Sequence, residues 1–166
     1  ASFRRYFRVW QQAGQRTPHI VMDAPPEHED CVPFVAIARH WHHEGVSVPG
    51  ILQADFAQGF LLLEDFGDRL MLGQLNARSA GALYRSAMDE LLLIAGQASP
   101  PDYPLPPYDA TLLEREMALF PDWLLEQQLG MTLDNGDRAL LDTTFAMLRE
   151  SALAQPEVTV HRDYHS

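Results

Sequence analysis

The chain has 166 residues, enough for one domain or one and a half, and 46% of them are hydrophobic, so it can bury a sizeable core. Its formal net charge of −11 at pH 7 argues against nucleic acid as a partner, because phosphate binding requires a basic surface. All twelve basic residues are arginine, which excludes chemistry that depends on a lysine within these residues, such as a Schiff base or a P-loop.

Cysteine usage and hydropathy favour a cytoplasmic protein. Cys31 is the single cysteine, so no intrachain disulfide can form, which fits a reducing compartment. The longest strongly apolar run, 60–63, is too short to span a membrane, and no secretory segment opens the chain. The first residue is not Met, and we expect that both ends are cut. Because the apolar runs are short and the net charge is negative, we expect neither a membrane nor a nucleic acid as a partner. The sequence leaves the oligomeric state open.

The first third of the chain predicts strands around one helix. Residues 4–10 are rich in aromatics, and after a polar turn 19–22 form a second apolar run, which together indicate a hairpin that Pro25 and Pro26 close. Apolar residues recur with helical period over about 31–43, and Gly45 follows as a stop signal. The apolar segments 46–54 and 59–66, joined by a turn that contains Gly59, predict another strand pair. The predicted order is β-β-α-β-β.

Beyond Gly67 the pattern becomes helical. Apolar residues form one helical stripe over 83–95, and a proline-rich loop spans 99–109. Helical segments are predicted at 110–120, at 122–130 after Pro121, and from Asp134 or Asn135 to about Ala154. Residues 158–160, which are β-branched, predict a very short strand. We expect an α+β protein with a boundary near residue 66 between a sheet-rich part and a helical part.

The predicted strand 158–160 is followed directly by His161, Arg162 and Asp163. A short strand and then His-Arg-Asp resembles the catalytic loop H-R-D-x-x-x-x-N of protein-kinase-like phosphotransferases. Three residues alone match easily by chance, and a solvated turn would explain them. A β-β-α-β-β region, a Leu-Leu-Leu-Glu-Asp stretch and a helical region precede them in the kinase order, and this context favours the kinase interpretation.

Four longer stretches also resemble the aminoglycoside phosphotransferase family: ASFRRYFRV, VMDAPPE, LLLEDFGD and YDATLLEREMALFPDW, at 1–9, 21–27, 61–68 and 108–123. Within that family they are similar to the bacterial cell-wall amino-sugar kinases, which phosphorylate the anomeric hydroxyl of N-acetylmuramate and N-acetylglucosamine. The resemblance implies ATP, Mg²⁺ and a protein-kinase-like two-lobe fold. Residues 1–66 would be the nucleotide-binding N-lobe, with its first strand missing, and 67–166 an incomplete, helical C-lobe that binds the acceptor.

The resemblance also implies roles in the catalytic loop. Asp163 would accept the proton of the attacking hydroxyl, and His161 would support the loop. The Asn of this loop is expected about two residues past Ser166, and the second metal-binding Asp lies further downstream in such proteins. We therefore expect that the chain stops inside its catalytic loop and contains no metal ligands.

On the phosphate side, the family pattern is incomplete. Ser2, Arg4 and Arg5 would lie in the loop over the ATP phosphates, although no glycine-rich pattern is present and the arginines also suit a solvated strand. The strand lysine of the family would fall near Met22 or Asp23 and is missing, and its glutamate partner is uncertain, with Glu27 and Glu29 nearby. Arg5, or Arg8 further along the same strand, is a candidate replacement.

The stretch that contains Glu64, Asp65 and Phe66 matches the interlobe hinge of the family. Adenine would be bound by backbone groups, the Glu64 carbonyl and the Phe66 amide. An ordinary turn between a strand and a helix is the alternative.

Asp109, Glu116 and Trp123 are the candidate acceptor-binding residues, although their residue types favour a capping or surface role for the two carboxylates and a core role for Trp123. His40, His42, His43 and Glu44 do not predict a metal site, since histidines at a helix end suit the helix dipole.

The sequence leaves several functions open. An antibiotic phosphotransferase fits the acidic charge, because carboxylates attract the ammonium groups of aminoglycosides. A choline-type or homoserine-type kinase is a further alternative. A non-catalytic nucleotide-binding pseudokinase is favoured by the missing lysine and opposed by the intact His161-Arg162-Asp163 motif.

Overall fold

The computed structural model describes residues 3–10 and 17–165. The chain divides into two compact units, the first formed by Ala1–Leu105 with Val158–Ser166 and the second by Pro106–Glu157. Strands and helices are both present, which confirms the predicted α+β class. The predicted division into lobes near residue 66 stays a prediction.

The first unit contains an antiparallel sheet. Its strands in the described part of the chain are β1 (Arg5–Val9), β2 (His19–Asp23), β3 (Ile51–Asp55) and β4 (Phe60–Glu64), in the spatial order β1-β2-β4-β3. Helix α1 (Val32–His43) lies between β2 and β3 in the chain, so the predicted β-β-α-β-β order is confirmed. The predicted strand pair is confirmed, although the apolar segment 46–54 is a strand only from Ile51 onward. Pro49 has no N–H to give to a ladder, and pairing starts only after it.

The turn between β3 and β4 depends on Gly59. Its φ is 76°, and a Cβ added there would lie 2.0 Å from the carbonyl oxygen of Ala24. Gly59 therefore lets the β3–β4 turn pack directly against the chain that leaves β2.

Strand alternation gives the sheet a covered face, formed by Ile20, Met22, Leu61 and Leu63. These side chains pack with Val35 of α1 in one core cluster, in which Met22 is 0% exposed and Leu61 is 1% exposed. Cys31 belongs to the same cluster, and its burial raises the pKa of the thiol.

After the sheet, the first unit continues with α2 (Met71–Gln74) and α3 (Ala80–Ala95). The predicted strand at 158–160 is wrong, since these residues lie outside the sheet. The Thr159 backbone N–H donates to the Ala95 carbonyl at 3.4 Å and its hydroxyl donates to the Gln97 carbonyl at 2.6 Å. Both donors thus find acceptors at the end of α3 instead of in a strand.

The second unit is helical. It contains α4 (Ala110–Leu119), a π-helix (Phe120–Gln128) and α5 (Asn135–Leu153). The three helical segments predicted for this part of the chain are thus confirmed. The π-helix follows α4 directly, and Pro121 lies in its first turn, where the missing proline N–H interrupts the α-helical hydrogen-bond pattern. Asp134 and Asp137 form a reciprocal capping box that starts α5. Among the described helices, none is long and apolar enough to cross a membrane.

Candidate active site

The face of the sheet opposite the covered face presents a mixed set of side chains. Phe7, Val21 and Leu62 lie directly opposite one another across β1, β2 and β4, and Arg5, Asp23 and Phe60 form the next row. We call these six residues the open face. Phe7 is 50% exposed and Phe60 is 42% exposed. Exposed aromatic groups beside a guanidinium suit a planar, anionic ligand better than they suit water.

Arg5 lies directly opposite Asp23, one of the two positions where the family lysine was expected. Met22 points into the covered face, so Asp23 is the residue of this strand that belongs to the open face. The Arg5 guanidinium forms an ion pair with the Asp23 carboxylate. Of the two arginines considered as replacements, the geometry favours Arg5, because Arg8 alternates to the other side of β1.

Arg4 is held by the segment before α1. Its Nε donates to the Glu29 carboxylate at 2.9 Å, and its guanidinium lies 5.4 Å from the centre of the Phe34 ring. The Phe3 backbone N–H donates to the other carboxylate oxygen of Glu29 at 2.8 Å. Glu29, one of two glutamates considered beforehand, thus fixes the beginning of β1. Ser2 lies outside the described residues.

The predicted hinge follows β4. The Glu64 carboxylate accepts from the Gly50 backbone N–H at 3.1 Å, which ties the end of β4 to the chain before β3. Gly67 has a φ of 79°, and its N–H donates to the Asp65 carboxylate at 2.7 Å. Among residues 3–10 and 17–165, the Phe66 backbone N–H donates to no acceptor. The hinge therefore offers one free backbone donor at the predicted position.

Arg8 binds the hinge from β1. Its Nε and Nη2 donate to the two carboxylate oxygens of Asp65, and its Nη1 donates to Asp68 at 2.8 Å. The Asp65 side chain is only 3% exposed. The Arg8 hydrogen bonds, followed by that of the Gly67 amide, lower the pKa of Asp65, and the same carboxylates raise the pKa of Arg8. Sequence reasoning missed this pairing because 57 residues separate its members.

A cleft of about 460 Å³ opens beside the hinge. It lies between the starts of β2 and β3, the last turns of α1 and the end of β4, and its polar lining residues include His19, Arg39, His42 and Glu64. The Nδ1 atom of His19 is buried without a partner among the described residues. No motif in the sequence indicated this cleft, since its walls come from four separate segments.

The predicted catalytic residues are held by aromatic contacts within the first unit. The His161 ring stacks on Trp41 of α1 with ring centres 6.4 Å apart, and the Tyr164 ring meets His161 edge-on at 5.2 Å. The Tyr164 hydroxyl donates to the Ala87 carbonyl of α3 at 2.7 Å. His161, which is itself exposed, thus has aromatic contacts that reach α1 through Trp41 and α3 through Tyr164.

Asp163 is presented to solvent by an unusual backbone turn. Arg162 has a φ of 73°, in the left-handed region that non-glycine residues rarely adopt, and the Asp163 N–H donates to the His161 carbonyl at 3.1 Å. Within the described part of the chain, the Asp163 carboxylate has no hydrogen bond or ion pair. Its oxygens are therefore available to accept a proton or a hydrogen bond from a ligand.

The predicted acceptor residues lie in the second unit. Asp109 caps α4 by accepting from the Leu112 N–H at 2.9 Å, the alternative role that its residue type suggested. Glu116 lies 3.8 Å from Arg115, and Trp123 is 60% exposed on the π-helix. Trp123 thus presents an aromatic ring of the kind that packs on sugars, while Asp109 has a structural task of its own.

The histidines at the end of α1 form no metal centre with Glu44. His43 contacts Glu44 at 2.9 Å, and no group of three or more metal-binding side chains occurs among residues 3–10 and 17–165.

Comparison with known proteins identifies the family. Curated relatives from Pseudomonas putida and Pseudomonas aeruginosa, both named N-acetylmuramate/N-acetylglucosamine kinase, are each 48% identical over 164 residues, which is 99% of this chain and 47% of theirs. A relative of the same name from Neisseria meningitidis is 33% identical over 166 residues. The chain thus spans about half the length of the curated relatives it matches. Residues 1–166 match the model of the phosphotransferase enzyme family, and the chain therefore belongs to that family.

Proposed function

We propose that the protein is an ATP-dependent kinase that phosphorylates the anomeric hydroxyl of N-acetylmuramate and N-acetylglucosamine in cell-wall recycling. The observation that carries the proposal is the 48% identity, over nearly the whole chain, to two relatives named as kinases of these two sugars. We place the protein in the cytoplasm with a small sugar as its partner, and with neither nucleic acid nor a membrane.

In this proposal the nucleotide binds on the open face. The adenine packs against Phe7 and Leu62, while the Glu64 carbonyl and the free Phe66 amide form hydrogen bonds to its edge. Arg5 binds the phosphates by charge-assisted hydrogen bonds. A partly exposed apolar row and a guanidinium on the sheet, with a free backbone donor just past the end of β4, support this assignment.

Ser2 and Arg4 complete the phosphate side of the proposed site. Their place in the loop before β1 follows from the family resemblance. Mg²⁺ is the proposed cofactor, and when bound it neutralises phosphate charge. The described residues contain no cluster that would hold it, so no ligand is assigned to it within these residues.

Asp163 is the proposed catalytic base. Its exposed carboxylate accepts the proton from the anomeric hydroxyl while that oxygen forms a bond to the γ-phosphorus of ATP and the bond from this phosphorus to the bridging oxygen breaks, releasing ADP. The His161 ring contacts the rings of Trp41 and Tyr164, and His161 supports the backbone that presents Asp163. Asp163 follows Arg162, which has a left-handed backbone conformation, and is itself exposed.

Asp109, Glu116 and Trp123 are the proposed contacts for the sugar. The exposed Trp123 ring suits the apolar face of a pyranose, and the two carboxylates suit its hydroxyl groups. The proposed two-lobe organisation, with a nucleotide-binding lobe over 1–66 and an acceptor-binding lobe from 67, follows from the same family resemblance.

The test uses the full-length protein with ATP and two acceptors, N-acetylglucosamine and its 1-O-methyl glycoside. Phosphorylation of the free sugar alone is expected, because the glycoside has no free anomeric hydroxyl. Equal phosphorylation of both would refute the anomeric position. Transfer of phosphate to an aminoglycoside, with neither sugar phosphorylated, would instead identify an antibiotic phosphotransferase. ATP binding without transfer to any acceptor would indicate a pseudokinase.

A further inference from the structure

Three hydrogen-bonding positions of one guanidinium converge on the hinge. Arg8 donates Nη2 to Asp65 at 3.0 Å and Nη1 to Asp68 at 2.8 Å, and its Nε also donates to Asp65. Arginine is suited to this task because its planar fork fixes direction as well as charge. The two carboxylates differ in exposure, 3% for the Asp65 side chain and 82% for that of Asp68. The Asp65 contact is therefore the one that water screens least.

Asp65 also fixes the residues that follow it. One of its carboxylate oxygens accepts from the Gly67 N–H at 2.7 Å, which closes a small turn around Phe66. Gly67 takes a φ of 79° within this turn. With its side chain bound by Arg8 and by the Gly67 amide, Asp65 leaves the peptide before Phe66 little freedom to rotate.

We propose that Arg8 is a positioning residue for the nucleotide: through Asp65 it holds the Phe66 backbone N–H in the direction that adenine requires. This inference rests on the proposed function, since it assumes that ATP binds at the hinge. It assigns Arg8 no contact with ATP, because Arg8 alternates away from the open face on β1.

A positioning role differs from a purely structural one in what it changes. Loss of the Arg8 contact frees the Phe66 amide and weakens one hydrogen bond to the base, whereas the phosphates keep Arg5. The KM for ATP rises about threefold to tenfold, the range that one hydrogen bond supplies, and kcat changes little. A structural brace alone would instead lower the folded, active fraction, and so kcat, with an unchanged KM.

The experiment compares Arg8→Gln, Asp65→Asn and their double variant in the full-length protein. Asp65→Asn retains a side-chain oxygen for the Gly67 N–H and removes the charge that Arg8 binds, so it isolates the ion pair. Arg138→Gln is the matched control, since it removes a surface ion pair with Glu126 in the second unit. The readouts are kcat and KM for ATP, inhibition by tripolyphosphate, which lacks the base, and the thermal midpoint.

The inference predicts a raised KM for ATP in both single variants, no further increase in the double variant, and unchanged inhibition by tripolyphosphate. Arg138→Gln should match the wild type in KM. An unchanged KM for ATP in Arg8→Gln, with the wild type active, would overturn the positioning role, as would equal weakening of ATP and tripolyphosphate. A wild type that neither binds ATP nor phosphorylates either sugar would instead overturn the proposed function, and the two failures are thereby distinguished.

Discussion

The two faces of the sheet are built from the same strands and differ in what their side chains meet. On the covered face, Met22 and Leu61 are 0% and 1% exposed against α1, whereas Phe7 and Phe60 on the open face are 50% and 42% exposed. Burial of apolar area stabilises a fold by about 25 cal/mol per Å². The covered face is therefore the source of stability, and the open face keeps apolar and charged groups available for a ligand.

Leu61→Ala and Leu62→Ala test this comparison most strongly, because adjacent leucines point to opposite faces. Leu61→Ala empties a fully buried site and should lower the free energy of unfolding by about 2–5 kcal/mol. Leu62 is only partly buried, and Leu62→Ala should cost about 1 kcal/mol. Urea denaturation of both variants measures the difference. Equal losses would contradict the assignment of stability to the covered face.

Asp163→Asn separates the chemical step from nucleotide binding. If the open face governs ATP affinity and Asp163 removes the proton, turnover of the full-length protein should fall by about 10²-fold or more while the KM for ATP stays constant. Steady-state kinetics with N-acetylglucosamine measures both parameters. Asp89→Asn, an exposed position on α3, is the control and should behave as the wild type. Unchanged turnover in Asp163→Asn would remove this residue from the catalytic role.

Arg5→Gln tests the charged end of the open face. The variant loses a charge-assisted contact to phosphate, and the KM for ATP should rise about tenfold to a hundredfold, because hydrogen bonds to charged groups are worth about 1.5–3 kcal/mol. Tripolyphosphate should weaken in parallel, unlike in Arg8→Gln. Arg85→Gln on α3 serves as the control for loss of a guanidinium. A KM that does not change would assign Arg5 to the ion pair with Asp23 alone.

Much of the fold was predictable because local periodicity reflects burial. The apolar spacing over 31–43 predicted α1, and aromatic-rich and apolar runs predicted the strands that form the two faces. The prediction at 158–160 failed because β-branched residues indicate a strand only where a partner strand exists, and here Thr159 bonds to the end of α3.

The candidate site was predictable only where a short motif carries it. The candidates Asp163 and His161 came from three adjacent residues together with the order of the elements before them, and the candidate hinge came from a contiguous stretch. The stacking of Trp41 on His161 joins residues far apart in the chain, and the contact of Arg8 with Asp65 crosses 57 positions. Neither contact has a local sequence signal, since a single arginine or tryptophan is compatible with a surface or a core position.

The smallest expected effect is the pH dependence of stability that Asp65 causes at the hinge, directly after β4. The pKa of Asp65 is lowered from its ordinary value of 3.8, first by the Arg8 hydrogen bonds and then by the Gly67 amide. A carboxyl group whose pKa is lower in the folded chain than in the unfolded chain stabilises the fold. This contribution is fully present when the pH is above the unfolded-state pKa, and it is lost as the pH falls through the folded-state pKa. The Asp65 contribution should therefore hold from pH 7 to about pH 5 and decline below about pH 4.

Comparison of wild type with Asp65→Asn by urea denaturation at several pH values isolates this contribution, because the variant has no carboxyl group at position 65. The difference in the free energy of unfolding should be constant down to about pH 5 and narrow as the pH falls below about 4. Asp68→Asn, whose carboxylate is 82% exposed, should show a smaller difference at every pH. If the difference in the free energy of unfolding between wild type and Asp65→Asn grew as the pH fell, the pKa of Asp65 would not be lowered in the folded chain. Arg8 would then not keep Asp65 ionised in solution.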